Sequence, residues 1–168
     1  MSFSPSSLTR ATIGQMFTAL DGILEKGAAY AAEKNIAEEV VLNWRLAPDM
    51  LPMKSQVHIG TEIAARGLSR LAGAEIPSFE GDSTSFADLH ARVEKARTII
   101  AALSDEGLDA DPDKEITVPF GPQEMTLKRI DFLQNVVLPN LYFHVTATYL
   151  ALRNIGVDLG KGDFMARP

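Results

Sequence analysis

Apolar residues recur at helical spacing along most of this chain. At about 100° per residue, Ile13, Met16, Phe17, Leu20, Leu24, Gly27 and Ala31 fall on one stripe, so the spacing predicts an amphipathic helix. Ser4 suits its cap and Pro5 its first position, and it runs to about Asn35. A long connection follows from Ile36 to Pro52, where Pro48 and Pro52 discourage helix on their N-terminal sides. It carries the only tryptophan, Trp44, which is expected to plug one end of a helical bundle. A second helix is predicted from Met53 to Ala72, stopped by Gly73. Its stripe is Met53, Gln56, Gly60, Ile63, Ala64, Gly67 and Leu71, and the two glycines leave room for a neighbouring helix. Lys54, His58, Thr61 and Glu62 fall on the opposite, solvated side. Pro77 and Gly81 mark a loop, and Ser85 with Asp88 caps a third helix from Phe86 to Leu103. Its stripe is Phe86, Leu89, Val93, Ala96, Ile100 and Leu103, with His90 partly exposed at the margin.

The pattern changes after Ser104. Asp109 to Asp113 reads as a solvated acidic turn, because the glycine and distal glutamate of a calcium loop are out of place. Glu115–Phe120 and Gln123–Leu127 alternate around Gly121-Pro122, the pattern of a β-hairpin, which must pack on the bundle to be stable. The last long helix runs from about Lys128 to Asn154, with a kink expected between Gln134 and Asn140, where Pro139 removes a backbone donor. A tail from Gly156 to Pro168 is expected to fold back through Phe164.

Inside this last helix, polar residues sit on an apolar face. Asn140, His144 and Thr148 stack every four residues, among Ile130, Leu133, Val137, Ala151 and Ile155. A buried polar group must be hydrogen-bonded, and Gln56 on the second helix is the expected partner. Two readings follow: a structural network around a neutral His144, or a polar pocket in the bundle core. In the second, Trp44, Asp49 and Tyr142 lie near the rim, and His144 is a general base or a single strong metal ligand. One histidine does not make a zinc site, which takes three or four ligands. No serine–histidine–aspartate order, phosphate loop or dinucleotide fingerprint is present.

Composition narrows the classes. The 168 residues fit one domain spanning the chain, and 46% hydrophobic with 23% charged residues is ordinary for a globular protein. Net charge is -6 with a pI near 5.0 and no basic run, which argues against nonspecific nucleic-acid or anionic-membrane binding. There are no cysteines, so disulfides, thiolate metal sites and cysteine nucleophiles are excluded. The first residues lack a basic start and an apolar block, so no signal peptide is expected and a soluble, cytoplasmic protein is the default.

Several blocks carry a family likeness: Leu46-Ala-Pro-Asp-Met-Leu-Pro52, Gln56-Val57, Arg70 to Pro77, Leu138-Pro-Asn-Leu-Tyr-Phe-His144, Thr146 to Tyr149 and Gly160-Lys-Gly-Asp-Phe164. Over essentially its whole length the chain resembles the uncharacterised DUF1993 family, a branch of the DinB/YfiT-like superfamily. The resemblance implies an all-α, antiparallel four-helix bundle with a small hairpin before the last helix, often homodimeric. It also implies a divalent metal such as zinc or nickel held by three histidines in many members, and thiol-dependent transferase activity in some. This sequence departs from that metal pattern: His144 is followed by Thr148 where a second histidine is expected, and the second helix offers Gln56 inward and His58 outward. The expectations are therefore a small-molecule-binding or degenerate metal-dependent enzyme using His144, a thiol transferase-like enzyme, or a noncatalytic structural or stress-associated homodimer.

Overall fold

The computed structural model describes residues 4–166; the outermost residues of the N-terminal and tail readings lie outside the described residues. Four long helices form the frame: α1 (Pro5–Glu33), α3 (Met53–Ala72), α4 (Phe86–Ala101) and α7 (Leu138–Asn154). Each begins and ends for a local reason. The Ser4 hydroxyl accepts from Ser7 N at 3.2 Å in a reciprocal capping box, with Pro5 at the first position. Ser85 and Asp88 cap α4 in the same way. Gly73 ends α3 at φ 66°, a left-handed conformation open to glycine at little strain.

The predicted stripes are the core. Ile13, Phe17, Leu20 and Leu24 of α1, Met53 and Ala64 of α3, Phe86, Leu89 and Val93 of α4, and Leu141, Val145 and Leu152 of α7 are all buried. Ile63 is only half-buried. α1 and α4 run antiparallel, with Arg10 beside Ile100 and Asp21 beside His90. α3 and α7 are also antiparallel, since Gly60 faces His144 and Gly67 faces Val137.

The segment between α3 and α4 is more than a turn. It climbs back along α3, so that Pro77 lies beside Arg66, Asp82 beside Lys54 and Ser83 beside His58. α4 therefore starts level with the start of α3 and runs parallel to it. This strap overturns the expectation of a solvated outer face on α3. Thr61 is fully buried, its hydroxyl donating to the Val57 and His58 carbonyls, and His58 is half-buried against Ser83.

The connection before α3 contains a short helix, α2 (Glu38–Leu42), that the prolines did not foreshadow. Trp44 does not plug the core: it is 40% exposed and lies outside, its indole N–H donating to Asn154 Oδ1 at 3.1 Å. A short α5 (Asp105–Leu108) follows α4. The acidic turn after it is partly engaged, because the Asp109 carboxylate accepts from Ser6 N and Ser6 Oγ at 2.7 Å each. Those donors hold its carboxyl below the usual range.

Strands β1 (Glu115–Phe120) and β2 (Gln123–Lys128) pair antiparallel, with Glu115 opposite Lys128. Val118 is buried, and Ile116, Met125 and Leu127 pack on the core, as an isolated hairpin requires. The last long helix is interrupted where Pro139 implied. After α6 (Arg129–Phe132), the stretch Leu133–Val137 is a π-helical turn leading into α7. Beyond α7, α8 (Lys161–Phe164) folds back, with Phe164 edge-on to Tyr149. Among the described residues no helix is long and apolar enough to cross a membrane.

Candidate functional site

His144 sits in the middle of α7, and α3 supplies the surface it meets. Gly60 is what lets the two helices close here: a Cβ on that residue would lie 3.2 Å from His144 Cβ. His144 is 9% exposed and Gln56 is 4% exposed. Their side chains meet through His144 Nδ1 and Gln56 Oε1 at 2.7 Å, while Gln56 Nε2 donates to the Leu51 carbonyl at 3.0 Å.

This relay fixes the imidazole tautomer. The Leu51 carbonyl only accepts, so the Gln56 amide must turn its nitrogen toward it and its oxygen toward His144. His144 Nδ1 therefore carries the proton and donates. The remaining ring nitrogen, Nε2, keeps its lone pair; it has no partner among the described residues, yet it is not sealed from solvent. Burial lowers the His144 pKa, and no charged neighbour contributes to the shift. The ring is a neutral hydrogen-bond acceptor at neutral pH.

The rest of the expected column does not join it. Thr148 is fully buried, but its hydroxyl donates to the His144 backbone carbonyl at 2.9 Å and not to the ring. Asn140 turns back on its own helix, with Nδ2 donating to the Val136 carbonyl at 2.7 Å. Tyr142 is two residues before His144, about 200° around the helix, and points to the other flank, 40% exposed. Asp49 is exposed on its loop. Trp44 lies nearly three helical turns away, beside Asn154.

The residues present do not fit the three-histidine metal site that the superfamily implies. One imidazole nitrogen is available, Gln56 is committed at both ends, and among the described residues no three His, Cys, Asp or Glu side chains are placed to share an ion. Surface pockets lie between α1 and α4, under the 79–83 strap, beside Arg129, and near the 156–158 turn.

The periodicity missed a second polar cluster on the far side of α3. His58 Nε2 and Ser83 Oγ are 2.8 Å apart, Lys54 pairs with Asp82 at 2.6 Å, and Arg92, itself nine-tenths buried, pairs with Glu62. Burial is the main cause of a lowered His58 pKa, with the Arg92 guanidinium second. The only signal in the sequence was the four-residue spacing of Lys54, His58 and Glu62 on one helix face.

No curated protein matches the chain. Among solved structures, a DinB family member protein from Shewanella denitrificans superposes with a TM-score of 0.84 at 30% identity, covering 95% of this chain and 92% of that one. The model of the DUF1993 family, a domain of unknown function, matches residues 7–165, so the chain belongs to the DUF1993 family and has a DinB-like fold.

Proposed function

We propose that this protein is a noncatalytic helical module that works as a homodimer, assembled through the outward face of α7. One observation carries the reading. Between Asp131 and Arg153 the sequence has no Asp, Glu, Lys or Arg, yet the outer side of α7 is exposed, with Tyr142 at 40%, Phe143 at 58% and Leu150 at 39%. A helix without charge on any side is ordinarily covered on every side. Leu51 at 49% and Trp44 at 40% are exposed as well, Trp44 beside Asn154 at the end of α7.

A second copy suits this face better than a small ligand does. The five side chains leave roughly 400 Å² accessible per copy, about half of what one side of a standard interface buries. An uncharged, aromatic centre with a polar rim is the composition of such interfaces, and a two-fold pairs the patch with itself. The His144–Gln56 bond fits this role as a lock that fixes how α7 is presented by α3. A catalytic role has less support, since burial lowers the His144 pKa and no carboxylate raises it, which weakens the imidazole as a base.

The test is the solution mass. The protein should run at twice the 18.2 kDa chain mass by light scattering at ~100 μM, and Phe143→Glu or Leu150→Glu should return it to a monomer with unchanged helix content. A wild-type monomer at that concentration, or a dimer that survives both charges, overturns the proposal.

A further inference from the structure

The strap between α3 and α4 borders an open pocket of about 260 Å³, lined by Phe79, Glu80, Asp82, Ser83, Arg92 and Lys95 among others. A single water needs only ~10–15 Å³ of such space, so the pocket has room for an amino acid. Its floor is built from buried polar groups. Ser83 is 4% exposed and Arg92 is 9% exposed. Arg92 lies over the Phe79 ring and meets Glu62 through one terminal nitrogen; its other terminal nitrogen has no partner among the described residues and is not sealed from solvent.

The charges around this floor are unevenly matched. Asp82 is held by Lys54, and Asp88 accepts from Thr84 N, Ser85 N and the Thr84 hydroxyl. Two charges are left over. Lys95 donates to the Ser78 carbonyl and stacks on the Phe79 ring at 4.9 Å, but pairs with no carboxylate among the described residues. Glu80 accepts only from the Ser78 hydroxyl at 3.4 Å, and no cation answers it among the described residues. An unpaired cation and an unpaired anion thus line one small pocket beside an under-used buried guanidinium.

We infer that this pocket binds a small zwitterion of the α-amino-acid type. The ligand carboxylate meets Lys95 and the terminal Arg92 nitrogen that Glu62 does not engage. Ser83, positioned by His58, presents its hydroxyl to the same carboxylate. The ligand ammonium meets Glu80, with the charges of Asp82 and Asp88 behind it. A plain anion is disfavoured because those three carboxylates line the same rim, and a plain cation is disfavoured by Arg92 and Lys95.

Calorimetric titration of the full chain tests this with L-alanine, L-glutamate, L-arginine and L-phenylalanine, using acetate and methylammonium as single-charge controls. At least one amino acid should bind with a Kd at or below ~1 mM, and both controls at least tenfold more weakly. Lys95 and Glu80 are exposed, so Lys95→Met and Glu80→Gln fold normally, and each should weaken binding about tenfold through a lost charge-assisted contact. Three results overturn the inference: no heat from any of the four, affinity unchanged in both variants, or acetate binding as tightly as the amino acids.

Discussion

Gly67→Ala sets two effects of comparable size against each other. In an exposed helix interior the added methyl stabilises by up to ~1 kcal/mol, because alanine is the better helix former. In α3 the same methyl lands 2.6 Å from Val137 Cγ2 and 3.2 Å from Cγ1. Val137 is 0% exposed and lies at the end of the π-helical turn, and a β-branched side chain in a helix has one strongly preferred rotamer. It has nowhere to turn. Overpacking of this kind costs ~1–3 kcal/mol, so the clash wins and the net loss is about 1 kcal/mol. For a chain of this length that lowers Tm by ~2–4 °C. Gly14 and Gly22 in α1 are the controls, since nothing lies within 4 Å of a Cβ built on either. Gly14→Ala and Gly22→Ala should each raise Tm, by up to a similar amount. Thermal unfolding followed by circular dichroism reads all three. If Gly67→Ala is as stabilising as Gly14→Ala, the close α3–α7 approach, and with it the His144–Gln56 contact, is wrong.

The remaining predictions are more direct. Ser85→Ala removes the hydroxyl that accepts Asp88 N at 3.1 Å and should cost ~1 kcal/mol in guanidinium unfolding; an unchanged midpoint would deny the cap a role. His144→Ala leaves Gln56 Oε1 unpaired and should cost ~1–3 kcal/mol, while wild type and variant alike take up no stoichiometric zinc or nickel; near-stoichiometric metal lost in the variant would restore the metalloenzyme reading. For pH, the buried His144 and the half-buried His58 have pKa values below the ordinary 6.5, His144 through burial and His58 through burial and then Arg92. Below 6.5 and down to their folded values, the unfolded chain binds more protons, so stability falls as pH drops through that window and does not change above it from this source. His58→Gln with His144→Gln should flatten the dependence between pH 7.5 and 5.5; an equal slope in the double variant would reassign it.

What the sequence disclosed was whatever repeats within one helix. The stripe of α1 and the Ser85–Asp88 box depend on residues a turn apart, and periodicity reports those directly. The pairing of Gln56 with His144 was legible for a related reason, since each was a lone polar group on an apolar face needing a partner. The return of the strap along α3 was not legible. Lys54–Asp82, His58–Ser83 and Arg66–Pro77 join residues on different elements, and no local spacing encodes which surface a polar loop will cover. His58 and Thr61 were assigned to solvent for that reason: their face of α3 is polar in composition yet covered in the fold.

The π-helical turn explains the other failure, and it does so by geometry. A wheel drawn with an unbroken helical period places Ile130 on the face of His144 and Phe132 about 120° away from it. The structure has the reverse, with Phe132 buried at 3% and Ile130 half-buried. One π turn holds one extra residue, which swings everything before it by about 100° relative to the unbroken wheel. That rotation carries Phe132 onto the buried face and Ile130 off it, while leaving residues after Val137 in register, so His144 and Thr148 stay inside as the period required. Pro139 announced a break somewhere in the preceding turn, but a proline kink and an inserted residue leave the same mark in sequence. Their consequences differ by that rotation. In this chain it brings a large aromatic ring, Phe132, under the helix start.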